Sequence, residues 1–154
     1  MSYALLKWLH VLSSTILFGT GIGSAFYLLC AVLSRDAALI GRVAAWVVRA
    51  DFIFTATTIV LQPLTGWYLA RIASFTLAAR WLSISIALYA IAFACWVPVV
   101  WLQIRMRDLA QLAAAEHVEL PPVFRRCFIA WFALGVPALC AFLAIFYLMV
   151  AKPA

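Results

Sequence analysis

Four long apolar stretches, at about residues 4–33, 43–70, 81–104 and 124–150, follow one another with short breaks between them. Each exceeds the ~20 residues that a helix needs to cross the hydrocarbon layer of a bilayer. One such run could be a buried core helix; four in near contact predict membrane spans. The second is the most informative. Within residues 51–66, DFIFTATTIVLQPLTG, the polar side chains Asp51, Thr55, Thr58, Gln62 and Thr65 fall at steps of four, three, four and three. On a helix that spacing gathers them on one stripe and leaves Phe52, Ile53, Ile59 and Val60 on the other faces. Acyl chains cannot satisfy such a stripe, so it is expected to face protein or trapped water, with the other three spans packed around it.

Punctuation refines this plan. In the first span Gly19 and Gly23 form a GxxxG, and Thr20 and Ser24 repeat the small-residue spacing, a pattern that lets another backbone approach closely. Ser34-Arg35-Asp36 reads as the first turn. Pro63, Pro98 and Pro137 fall inside spans two, three and four. Pro63 cannot donate to the Ile59 carbonyl, nor Pro137 to that of Ala133, so both carbonyls need other partners. Residues 105–123 are the one sizeable polar segment, expected as a cytoplasmic loop. Its RDLAQLAAAE part, residues 107–116, reads as a continuing or surface helix that Leu120-Pro121-Pro122 stops. The expected fold class is all-α: an integral membrane four-helix bundle with proline-bent transmembrane helices, forming a single domain over residues 1–154.

Composition agrees and removes some functions. The chain is 69% hydrophobic and 10% charged, with a mean hydropathy of +1.13, which excludes a soluble domain. A net charge of +6 would suggest nucleic acid in a soluble protein, but here the basic residues sit at span ends and serve topology and headgroup anchoring, so no nucleic-acid partner is expected. The side holding the first and third connections carries Arg35, Arg42, Arg49, Arg105, Arg107, Arg125 and Arg126. The side holding both termini and the middle connection carries Lys7, Arg71, Arg80 and Lys152. The positive-inside rule then places both termini outside the cytoplasm, periplasmic in a bacterial inner membrane. Trp8, Trp67 and Trp81 mark the outer interface and Trp46, Trp101 and Trp131 the inner one, with Trp96 within a span. The first apolar run is too long for the h-region of a signal peptide and is expected to remain as a helix. Cys30, Cys95, Cys127 and Cys140 lie in or at the ends of spans, with no CxxC, and read as small packing residues.

Two groups of side chains could carry chemistry. At similar depth in the outer half lie His10, Gln62, Thr65, Ser83, Ser85, Tyr147 and Met149. His10 could ligate a metal or haem iron, relay protons to a quinone, or bridge helices through a serine or a carbonyl. Met149 is the plausible second axial ligand, since His117 belongs to the inner connection. At the inner end lie Asp51, Arg49, Gln103, Arg105 and Arg126. Arg49 and Asp51 are two apart on one helix and cannot face each other, so Asp51 is expected to pair with Arg105 or Arg126, or to act as a proton or cation site. Nothing resembles a nucleophile triad, a phosphate loop, a HExxH or paired catalytic carboxylates.

Several stretches carry a resemblance: Leu6-Lys7-Trp8-Leu9-His10, Phe18-Gly19-Thr20-Gly21, Ala50-Asp51-Phe52-Ile53-Phe54, Gln62-Pro63-Leu64-Thr65-Gly66, Cys95-Trp96-Val97-Pro98 with Met106, Leu120-Pro121-Pro122, and Leu148-Met149 with Pro153. Together they resemble domain-of-unknown-function family 2269, bacterial four-span membrane proteins. The resemblance covers nearly the whole chain and implies an inner-membrane location, with no established activity. More remotely, the KxxH start of span one is similar to small membrane protoporphyrinogen oxidases and to copper-resistance D proteins. The oxidase likeness implies haem on His10 and a lysine early in span three, where Ser85 stands here. Two functions are therefore expected to compete. One is a redox-linked protein binding haem b or a quinone through His10. The other is a non-catalytic accessory subunit of a larger membrane complex, or a homo-oligomer, docking through Gly19 and Gly23. A small-solute or proton-conducting role centred on Asp51 stands third.

Overall fold

The computed structural model describes residues 2–153 and is helical throughout, with no strand among the described residues. Helix α1 is Tyr3–Leu33, opened by Ser2, whose side chain accepts from the Leu5 N–H. Helix α2, Ala37–Ala50, starts at Asp36, which accepts from the N–H groups of Ala38 (2.8 Å) and Leu39 (3.2 Å). These are the side-chain caps that a helix start needs, and Ser34-Arg35-Asp36 is the turn between. A π-helical turn, Asp51–Thr55, joins α2 without a break to α3, Ala56–Ile72. Helix α4 spans Arg80–Glu116 and α5 spans Pro122–Ala151. Four uninterrupted rods result, each long and apolar enough to cross a membrane.

The limits of the rods depart from the sequence expectation in one respect. Residues 105–116, placed in the connection, form the last third of α4, so the continuing helix expected over 107–116 is one rod with span three; it ends where His117 turns left-handed (φ 55°) and Val118 N–H reaches back to the Ala113 carbonyl. The alanines of this stretch have a purpose: Ala110 and Ala113 are buried, Ala110 in the same cluster as Leu28, Ile40, Met106 and Phe124. Gly41 of α2 lies against this surface so closely that an added Cβ would sit 2.9 Å from Gln111 Cγ and 3.2 Å from the Gln111 backbone nitrogen. Small residues on both helices allow the contact. The tightest core is thus at the inner end, where α2, α4 and α5 meet.

Toward the outer end the bundle divides into two pairs. Helix α3 packs on α1, and α4 packs on α5. An edge-on contact of Phe18 with Phe146 (5.1 Å between ring centroids) links α1 to α5. Lys152 closes the outer end, its ammonium 4.9 Å from the Phe75 ring centre and 5.7 Å from that of Trp81. The polar stripe of span two faces inward: Asp51, Thr55, Thr58, Gln62 and Thr65 are all buried, whereas Phe52, Ile53 and Val60 are exposed. Ile59 departs from the expected pattern and is buried with the stripe, because its carbonyl and side chain face α4. Pro63, Pro98 and Pro137 each lie inside an unbroken helix.

Candidate functional site

In the outer half, α1 and α3 are fastened together by hydrogen bonds around His10. Gln62 Nε2 donates to the His10 carbonyl (3.0 Å) and to Ser13 Oγ (2.9 Å), and Ser13 Oγ donates to the His10 carbonyl (3.1 Å). His10 Nδ1 lies 2.8 Å from Thr65 Oγ1. Thr65 Oγ1 is also 2.6 Å from the Leu61 carbonyl, and with its proton there the imidazole would be the donor, from Nδ1. The ring edge rests on Gly66, where a Cβ would stand 3.2 Å from His10 Cε1. This is a helix-bridging histidine, seated where glycine leaves it room.

The residues expected around it do not converge on a cofactor. Ser85 is buried but donates to the Trp81 carbonyl of its own helix (2.7 Å). Tyr147 is 68% exposed on the outside of α5, and Met149 is half-buried. A haem needs a slot beside its ligand, and neither of the two main hollows of the bundle is lined by His10. No cluster of three or more potential metal ligands occurs among the described residues. The residues at His10 therefore do not fit a haem.

The larger opportunity lies deeper, in a cavity of about 290 Å³ between all four spans. Asp51 lines it at 4% exposure, and the arginine expected to pair with it is not there. Arg49, Arg105 and Arg126 are all exposed, Arg49 lying over the Trp46 ring at 5.0 Å. The one ion pair among the described residues is Arg107 with Asp108, at the inner surface. Instead, Asp51 Oδ1 accepts from Thr55 Oγ1 (2.7 Å), and the Gln103 side chain meets the same carboxyl. The π-helical turn sets this geometry: the Ala56 N–H reaches five residues back to the Asp51 carbonyl. Such single-turn π-bulges occur frequently at functional sites.

Three further polar groups of the cavity wall are buried without a partner: the indole N–H of Trp96, the indole N–H of Trp131 and the amide oxygen of Gln103. Buried polar atoms are rarely left so, and three around one cavity form an unfilled inventory of two donors and one acceptor. Tyr89 completes the wall and solves the problem that Pro63 creates, since its hydroxyl donates to the Ile59 carbonyl. Phe18, Phe93, Phe132 and Phe142 supply most of the remaining surface. Ile22, Phe132 and Val136 of the lining are exposed, so the cavity opens between α1 and α5 on the apolar flank of the bundle.

Sequence reasoning recognised Asp51 and Gln103 but placed them near the headgroups as an ion-pair group, and it did not find Trp96, Trp131 or Tyr89 as wall residues. Trp131, expected at the inner interface, is 5% exposed and turned inward. One signal was available: Trp96 is the tryptophan placed within a span, where its N–H has no water to bond. The face of Gly19 and Gly23 is open, for a Cβ added at either would meet nothing within 4 Å, and the same holds for Gly21, which lines the central cavity.

A family model described as "Predicted integral membrane protein (DUF2269)" matches residues 4–153 of the chain. No curated protein and no solved structure matches, so the remote likeness to haem- and copper-handling proteins stands without support.

Proposed function

The chain belongs to the DUF2269 family of predicted integral membrane proteins, and on that premise we propose that it holds a small molecule inside its bundle, in the cavity built on Asp51. The observation that carries this reading is the set of unpartnered polar atoms around a buried carboxyl in an otherwise apolar chamber. An apolar site with a few convergent polar groups is the usual form of a ligand pocket, and about 290 Å³ is at the small end of that range. The mouth toward lipid suits a molecule that partitions into the bilayer. Of the redox-linked alternatives, a quinone would meet the indole donors with its carbonyls, whereas His10 lines neither of the two main hollows that a haem could enter. The excess of arginine on the side of the first and third connections supports an inner-membrane placement with both termini periplasmic.

Gly135 provides the test. It lines the cavity, and a Cβ there meets no atom within 4 Å, so the first atom of a Gly135→Leu side chain is accommodated and the rest of it is expected to take up space at the cavity wall. Mass spectrometry of protein extracted from its native membrane is expected to find a small molecule with the wild type that Gly135→Leu loses. Identical ligand profiles for the two proteins would overturn the reading.

A second reading, an accessory subunit docked on a larger complex, rests on the open face of Gly19 and Gly23. It requires that Gly23→Leu releases a co-purifying partner while the monomer stays equally stable.

A further inference from the structure

The cavity holds one acidic group and no basic one. Of the eleven lysines and arginines in the chain, none lines it. Asp51 Oδ1 accepts from Thr55 Oγ1, and Gln103 lines the same cavity; both are neutral, so no cation among the lining residues balances a carboxylate here. A carboxyl out of water takes up a proton when alone and stays ionised beside a counter-charge, so a cationic guest is the one that would hold Asp51 in its charged form. Next to it is a second acceptor in need of a donor. The Gln103 side chain meets the Asp51 carboxyl, and its amide oxygen is buried without a partner. A charged donor seated between the two would satisfy both.

The walls specify what carries that charge. Trp96, Trp131, Phe93 and Phe132 line the chamber, and ring faces attract cations that have left water. A metal ion is a poor occupant, because a hard cation wants six or more oxygens and this end of the cavity offers a carboxyl and an amide. A neutral alcohol would satisfy Gln103 and leave Asp51 without its counter-charge.

Resting on the ligand-binding reading above, we infer that the molecule held is an organic ammonium: a protonated amine with at least one N–H, whose nitrogen sits between Asp51 and Gln103 and whose apolar body lies among the aromatic rings. The indole donors of Trp96 and Trp131 are then free for an oxygen on that body.

Two molecules of one shape and different charge make the test, 2-phenylethylamine (an ammonium at neutral pH) and 2-phenylethanol. Equilibrium binding of radiolabelled 2-phenylethylamine to the full chain in mild detergent is measured, with each compound as competitor. Gly135→Leu subtracts partition into the micelle. The wild type is expected to prefer the amine by at least tenfold, and Asp51→Asn, which retains an acceptor for Thr55, to abolish the preference. Equal binding of amine and alcohol overturns the ammonium inference and leaves the ligand-binding reading standing. A preference for the amine that survives Asp51→Asn overturns the inference too, since its source would lie elsewhere. Failure of both compounds to bind, together with identical ligand profiles for the wild type and Gly135→Leu, removes both readings. Should Asp51→Asn fail to elute as a single species, the competition on wild type still tests the charge of the occupant, and equal binding of the two compounds overturns the inference.

Discussion

The hydroxyl of Tyr89 on α4 and the carbonyl of Ile59 on α3 are thirty residues apart in sequence, and their bond exists because Pro63 has no N–H to offer. Tyr89→Phe removes the donor and little else. In water the Ile59 carbonyl would find solvent. Inside this bundle it does not, and a buried acceptor without a partner costs about 1–3 kcal/mol. Hydrogen bonds between membrane helices average ~0.6 kcal/mol and reach ~1.7, because the unfolded chain in a bilayer also finds partners. Tyr89 is half-buried, so a loss of about 1 kcal/mol is the expected result. Pro63→Ala supplies the missing test of cause. An alanine N–H at position 63 restores the bond to Ile59, and Tyr89→Phe in that background is expected to cost only ~0.3 kcal/mol. Reversible unfolding in mixed detergent micelles measures all four members of the cycle. Equal losses from Tyr89→Phe with and without Pro63 would show that the tyrosine contributes by packing alone, and the reasoning about the freed carbonyl would fail.

Three further outcomes follow from particular contacts. Gly41→Ala forces a methyl to 2.9 Å from Gln111 Cγ and 3.2 Å from the Gln111 backbone nitrogen, so it is expected to destabilise despite the better helix propensity of alanine, with overpacking of about 1–3 kcal/mol outweighing a gain of about 1; Gly19→Ala, whose Cβ meets nothing, gains the propensity alone, and the two melting curves should move in opposite directions. Gln62→Leu removes both donors that fasten α3 to the His10 carbonyl and Ser13 Oγ, and a loss of roughly 0.5–1.5 kcal/mol in the same unfolding assay is expected; an unchanged midpoint would mean that the bonds are made only at no net gain. For orientation, Glu116→Cys and Lys152→Cys are to be labelled in intact cells with a membrane-impermeant maleimide; labelling at position 152 and not at 116 is the expected pattern, and the reverse would invert the proposed topology.

The sequence alone determined everything that the properties of a single helix can decide. Four apolar runs fix four spans, because no other structure satisfies that much backbone in lipid. The four-three spacing from Asp51 to Thr65 fixes an inward polar stripe, because side-chain direction on one helix follows from residue number. Proline at 63 fixes the need for a donor at the Ile59 carbonyl. What one helix cannot specify is which neighbour it meets. Tyr89 as that donor, Gln103 beside Asp51, and Trp131 turned inward instead of resting at an interface all depend on how α4 and α5 are rotated about their own axes. The same rotation sends Tyr147 outward, away from the His10 group with which depth alone had placed it. Depth is shared by every residue at one level of a bundle, whereas contact requires facing surfaces, and these are set only when the helices pack against one another. The π-helical turn at Asp51 was hidden for a related reason. Residue types at 51–55 fit an α-helix as well as a π-helical turn, so the pattern alone does not mark it, and the structure places Asp51 in the cavity wall.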